Sequence, residues 1–290
     1  MRGRESAELG GSDLSRAVTS LAHRVQYSWA CAGSQLKNWR DYYTKAPAVF
    51  FYDTLASGFD PEAHIDVLPD YNLIYISVPK CASTTIKAAL AALNRRQSPS
   101  LRDLHTRRST GILSPSRAGL STFYRIATSS DSLRFTFVRN PYARLVSAWA
   151  DKFKNKPLVP GDTFVELYLE HRLAADISLP HGKDQTLSLA QFAAFASATA
   201  HRRLNSHWNI QDDLLDMPGL KLNLIGRVEC FAEDFRHVLD HVGLLNQFIT
   251  VRHNASQHLA WRNYYTPQLA ERVYKAYERD FDRFRYPRAV

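Results

Sequence analysis

The residues that could do chemistry are easiest to find at Val78-Pro79-Lys80-Cys81-Ala82-Ser83-Thr84-Thr85-Ile86. A β-branched apolar run from Tyr71 to Val78 leads into them and the helix-like TTIKAALAALN follows, so they fall where a strand gives way to a helix. Small residues at such a turn let the backbone close around an anion. The first turn of the helix offers N–H groups without partners, and the Ser and Thr hydroxyls add donors. Lys80 supplies a point charge, and a phosphate is the group such a set would hold. Taken alone, the same residues also suit an ordinary strand-to-helix connection with threonine caps and a surface lysine. Neither GxxxxGK(S/T) nor GxGxxG occurs, which removes support from a Walker-type kinase and a Rossmann dehydrogenase.

A second set lies in Phe137-Val138-Arg139-Asn140-Pro141-Tyr142-Ala143-Arg144-Leu145-Val146-Ser147-Ala148-Trp149. Arg139 closes the apolar run Leu133 to Val138, and Ser147 falls two turns into a helix-like segment, with Ala143 between them at i, i+4 spacing. A phosphate on that face could take the forked N–H donors of Arg139 and the Ser147 hydroxyl. Each residue alone has an ordinary alternative, an arginine paired with a carboxylate and a serine tolerated in a helix. Asn140 suits an N-cap, and Pro141 suits a first turn where its missing N–H costs nothing.

These sets need elements to position them, and the chain supplies strand and helix signals in alternation. A third unit pairs Leu220 to Gly226 with the helix-like CFAEDFRHVLDHVGL. Ser188 and Gln191 stand in capping-box register. Thr266-Pro267 opens a closing helix with Leu269, Val273, Tyr277 and Phe281 on one face. Repeated strand–helix units predict an α/β fold, a single domain with a central, mostly parallel sheet flanked by helices and ligands beyond the carboxyl ends of the strands. The predicted division is an N-terminal accessory region, partly helical and of no assigned role, over 1–66, and the main domain over 67–290.

At 290 residues, 45% hydrophobic and 12% aromatic, the chain can bury one sizeable core. Lysine and arginine number 37 against 28 acidic residues, a net charge of +9 that points to an anionic partner such as a nucleic acid, a membrane surface, a polyphosphorylated cofactor or an acidic glycan. No basic run of five residues occurs, which argues against a nucleic-acid tail. Three widely spaced cysteines, Cys31, Cys81 and Cys230, suggest neither a disulfide framework nor a CxxC metal site, and no HExxH motif is present, so no metal is expected. No apolar stretch approaches the length of a membrane span, and the first residues lack a signal-peptide core. The expectation is a cytoplasmic protein without a transmembrane segment, with peripheral membrane contact left open.

The pair PKCASTTIK and FVRNPYARLVSAW resembles the two elements by which sulfotransferases bind 3′-phosphoadenosine 5′-phosphosulfate (PAPS), closest to the Golgi-type carbohydrate sulfotransferases and their bacterial relatives. His207-Trp208, LIGRVECFAEDF and the closing YYTPQLAERVYKAYERDFDRFRY agree with that pattern, so the resemblance spans about Tyr71 to Tyr286. It implies the P-loop-like sulfotransferase fold and a sulfuryl transfer from PAPS to a hydroxyl, or an amine, releasing PAP. It further implies that Lys80, Ser83, Thr84 and Thr85, with the loop residues Cys81 and Ala82, hold the 5′-phosphosulfate. Arg139 and Ser147 would hold the 3′-phosphate, Gly226 and Arg227 would lie near the nucleotide, and Asn254-Ala255-Ser256 near the cofactor or acceptor. The Golgi members begin with a membrane anchor that is not seen here, and many carry Asp where this chain has Asn140; the first difference predicts a bacterial-type enzyme.

The acceptor hydroxyl needs a base. His207 ranks first because of its His-Trp setting, and His105 second because it follows the first strand–helix unit; Asp103 and Glu229 are carboxylate alternatives. Trp208 suits either a sugar platform or the core. The acceptor read from the resemblance is a carbohydrate or glycoconjugate, with a phenol, lipid or peptide tyrosine as other classes. The competing reading is a non-catalytic module that binds a nucleotide or RNA, and Cys81 in the loop predicts sensitivity to thiol reagents.

Overall fold

The computed structural model describes residues 60–94, 110–172, 186–217, 219–245 and 261–288. Four strands, β1 (Ile65–Leu68), β2 (Leu73–Ile76), β3 (Leu133–Val138) and β4 (Leu224–Arg227), form one sheet in the order β1-β2-β3-β4. β1 runs antiparallel to β2, whereas β2, β3 and β4 are parallel to their neighbours. Every residue of β2 is buried, which is why its sequence is a continuous apolar run rather than an alternation. Tyr75 stacks on Phe135 across the parallel register, with ring centroids 4.9 Å apart.

The mostly parallel α/β sheet is the one the sequence predicts, with two differences. The third strand starts at Leu224 rather than Leu220. β1 was not expected at all, because four residues, Ile-Asp-Val-Leu, are too few to show a period, and all four are buried on both faces. Asp66 tolerates that burial because Lys87 Nζ lies 3.3 Å from its carboxylate. Most of the accessory region read over 1–66 lies outside the described residues.

The helices follow the strands as their sequences require. α1 (Ser83–Leu93) leaves the end of β2; α2 (Leu120–Thr128) precedes β3, and α3 (Pro141–Lys152) follows it. Asn140 caps α3 by accepting from Tyr142 N at 3.0 Å and Ala143 N at 3.3 Å, with Pro141 in the first turn. α4 (Thr163–His171), α5 (Leu189–Thr199) and the short α6 (Gln211–Leu215) precede β4, and α7 (Phe231–His241) follows it. The capping box of Ser188 and Gln191 opens α5. α8 (Pro267–Arg283) closes the fold, burying Val273, Tyr277 and Phe281 against α5 and α3.

Gly226 shows how tightly the sheet meets α7. A Cβ at this position would lie 2.6 Å from the Phe137 ring, its partner on β3, and that ring is held against Phe231 and Phe235 of α7. The site cannot accept a methyl group without displacing the ring. Gly226→Ala is expected to cost about 1–3 kcal/mol, read as a lowered midpoint in urea unfolding at unchanged slope.

Candidate functional site

The loop between β2 and α1 is shaped by two left-handed residues that are not glycine. Val78 O accepts from Cys81 N at 3.2 Å, so Val78 to Cys81 form a turn with Pro79 second and Lys80 third, where φ is 70°. Proline in the second place and positive φ in the third are the requirements of a type II turn. Ala82 follows at φ 59° and is the N-cap of α1, with no side-chain capping bond. Ala82 has no polar side chain with which to cap the first turn of α1. Among the described residues, the hydroxyls of Ser83, Thr84 and Ser147 have no hydrogen-bond partner.

Left-handed Lys80 and Ala82 carry strain of the order of 1 kcal/mol each, so the surroundings must hold the loop. Arg144, 1% exposed, donates from Nε to Pro79 O at 3.1 Å, and from its two other nitrogens to Asn209 O and Ser206 O, both at 2.6 Å. Gln211 Oε1 accepts from Cys81 Sγ at 3.2 Å and from Arg139 N at 2.9 Å, while its Nε2 donates to Arg139 O at 2.9 Å. Asp280, fully buried, accepts from Gln211 N and Asp212 N at 2.9 and 2.8 Å. Burial pushes the Asp280 carboxyl up to about 6, against the pull of those amides.

Cys81 corrects a prediction. Its side chain is buried, burial pushes the thiol up to about 12, and it donates to Gln211. A thiol so placed is neither nucleophilic nor open to reagents, and what Cys81 offers the site is a backbone turn.

Arg139 stands one residue beyond β3, and its guanidinium lies 3.4 Å from Lys80 O. The two elements identified in sequence are therefore in contact. Ser147 is 8% exposed on α3. Asn140 N donates to Glu229 Oε1 at 2.8 Å, and Tyr286 donates its hydroxyl to Glu229 Oε2 at 2.9 Å. Both Glu229 oxygens are thus engaged in holding the start of α3 and the C-terminal segment. Arg227 donates to Phe284 O at 2.6 Å and lies over the Tyr286 ring. With Asn140, Glu229, Trp261 and Tyr286, it lines a cavity of about 250 Å³.

Next to the loop, one carboxylate oxygen serves two ammonium groups. Asp151 Oδ2 is 3.0 Å from Lys80 Nζ and 3.1 Å from Lys152 Nζ. Burial lowers the pKa of Lys80, and Asp151 opposes that shift. Burial also works against the charge of Asp151, but the two lysines prevail and bring its carboxyl down to about 2. Lys152 Nζ sits 4.3 Å above the Phe164 ring, which meets the edge of His207 at 5.4 Å.

His207 Nδ1 is 2.8 Å from Asn205 Oδ1, which also accepts from His207 N at 3.0 Å. An amide oxygen can only accept, so Nδ1 carries the proton and Nε2 keeps its lone pair. Burial, then the charges of Lys152, Lys80 and Arg144, bring the imidazole down to about 3. Trp208 beside it is fully buried among Phe153, Phe164, Phe192 and Phe195, a core residue with no face for a sugar. His105, Asp103 and Asn254-Ala255-Ser256 lie outside the described residues. Sequence reasoning missed Arg144, Asp151, Lys152, Gln211 and Asp280, which act through contacts between distant segments. Among the described residues no group of three metal-ligating side chains occurs.

Residues 63–287, more than half of the chain, match the Sulfotransferase family. The chain is 28% identical to carbohydrate sulfotransferase 11 of Danio rerio over 62% of its own length and 53% of the relative's. It is 24% identical to carbohydrate sulfotransferase 10 of Xenopus laevis over 77% and 67%, and 27% identical to carbohydrate sulfotransferase 12 of Mus musculus over 78% and 60%. The chain spans about half to two thirds of the length of these curated relatives. No solved structure matches it. These relatives overturn the expectation of a cytoplasmic protein: they are animal carbohydrate sulfotransferases, the Golgi type rather than cytoplasmic proteins, and they lend the bacterial-type reading no support. The composition of the first residues carries no weight against that kinship. Among the described residues no helix is long and apolar enough to cross a membrane.

The His207 shift has a measurable consequence. Its folded pKa, about 3, lies below the 6.5 of a free imidazole, so between those values the unfolded chain binds the extra proton. Stability must then fall as pH drops through 6.5 toward 3. His207→Gln is expected to lose less stability than the wild type between about pH 7 and about pH 5, compared by urea midpoints.

Proposed function

The chain belongs to the sulfotransferase family, and on that premise we propose that it transfers a sulfuryl group from PAPS to a hydroxyl of a carbohydrate or glycoconjugate acceptor, releasing PAP. The observation that supports this reading is the contact of Arg139 with Lys80 O at 3.4 Å, a separation that one nucleotide bound to both proposed elements would require. The residues fit the donor. An uncapped helix N-terminus, two hydroxyls and a lysine suit the phosphosulfate end, and a guanidinium with a nearby serine suits the 3′-phosphate.

When bound, PAPS supplies an activated sulfuryl group that an acceptor oxygen can displace in line. The amides of α1 and the Ser83 and Thr84 hydroxyls hold the phosphosulfate oxygens in place. Lys80 neutralises the charge that grows on the leaving 5′-phosphate oxygen. Arg139 and Ser147 grip the 3′-phosphate, so nucleotides lacking it lose a charge-assisted pair of bonds. His207 Nε2 takes the acceptor proton, with Asn205 fixing the tautomer. A base near 3 is weak; burial is the main cause, with Lys152, Lys80 and Arg144 adding to it, and an anionic donor paired with Lys80 relieves that lysine's share, so donor binding raises the His207 pKa. The carbohydrate acceptor rests on what the relatives are named for and suits the net charge of +9.

Incubation with labelled PAPS and a panel of glycans should yield labelled glycan and PAP in equal amounts. Lys80→Ala is expected to lower kcat by about 10²–10³-fold with a much smaller change in PAP affinity; near-normal turnover would remove Lys80 from the mechanism. In a calorimetric comparison, Arg139→Ala should bind PAP and 5′-AMP almost equally, where the wild type prefers PAP.

A further inference from the structure

The mechanism above leaves one charged group without a task. Asp151 lies in the last turn of α3, and its single oxygen Oδ2 bridges Lys80 and Lys152. Its side chain is 46% exposed, whereas the two lysines are 18% and 20% exposed. The carboxylate thus approaches two sheltered cations from the open side, at the separations an ammonium makes with a phosphate oxygen. Lys152 and Arg139 act on Lys80 with the same sign of charge, and Asp151 opposes them. An anionic donor that pairs with Lys80 competes with this carboxylate for its ammonium.

We propose that Asp151 is a positioning residue that occupies Lys80 and Lys152 through one oxygen and exchanges Lys80 for the phosphosulfate when the donor binds. It holds the Lys80 ammonium in place while no nucleotide is present, and its charge opposes the lowering that burial imposes on Lys80. It also competes with the donor for that ammonium. After the exchange the carboxylate stays on Lys152, which remains beside Phe164 and His207. This inference rests on the proposed PAPS site and adds a residue that the donor displaces rather than touches.

Removing the charge should therefore have opposite effects on binding and turnover. Asp151→Asn is expected to bind PAP more tightly, by about two- to fivefold, the range of a partly exposed ion pair. Its kcat should fall, because the lysine is no longer oriented before the donor arrives. A merely structural role would weaken binding or leave it unchanged. The gain should shrink when Asp151→Asn is made in a Lys80→Met background, since no ammonium is then left to compete for, whereas general repulsion between Asp151 and an anion would persist. Calorimetry with PAP on the four proteins, with a thermal melt to confirm folding, reads all of this. Asp151→Glu, which keeps the charge, should restore much of the wild-type binding and turnover. Unchanged or weaker PAP binding in folded Asp151→Asn, or an equal gain with and without Lys80, overturns the inference. Failure of the wild type itself to bind PAP overturns instead the PAPS reading beneath it.

Discussion

A buried amide holds the site together. Gln211 accepts from Cys81 and Arg139 through one atom and donates to Arg139 and Asp280 through the other, so both atoms of its amide group are satisfied in a place closed to water. A buried polar group left without partners costs several times what a satisfied one contributes, so the arrangement is close to all-or-none. The loop after β2 and the residue after β3 can meet the amide in one relative position only. Asp280 extends the constraint to α8 by fixing the amide end of α6. These bonds also bring the Arg139 guanidinium to the Lys80 carbonyl, to which it donates although the two side chains carry like charges.

Arg144 does for the segment carrying His207 what Gln211 does for the loop after β2. Its guanidinium makes three bonds to carbonyl oxygens, one in the loop after β2 and two flanking His207 and Trp208. A planar fork of fixed geometry suits this better than a lysine, whose donors swivel. The strained turn at Lys80 and Ala82 and the segment carrying His207 are thereby referred to the same side chain. Charge then acts on a frame already set. Burial, then Lys152, Lys80 and Arg144, depress His207, and Asp151 opposes them.

The parts that sequence showed are those with local signatures. The runs before Pro79 and Arg139, the Asn140 cap and the Ser188 box announce themselves within a few residues, and the two anion-binding sets sit at strand ends as α/β folds require. β1 escaped notice because a four-residue strand buried on both faces has no alternation to read. Gln211 and Asp280 were invisible for a different reason. They contact residues about 70 positions away, and an ordinary-looking NIQDD stretch carries no mark of that. Asp151 looked like a solvated helix end, and only the fold brings Lys80 to it. Location was misjudged because the absence of a local signal in the first residues was read as information.

α8 supplies Asp280, and the segment after it supplies the Tyr286 hydroxyl that secures Glu229 and, through it, the start of α3. None of these residues is assigned a contact with donor or acceptor, yet the phosphate loop is registered through them. A protease that nicked the chain before α8 would leave every residue of the proposed donor site intact and still loosen the frame that holds it, so resistance to limited digestion is a fair proxy for whether that frame is whole.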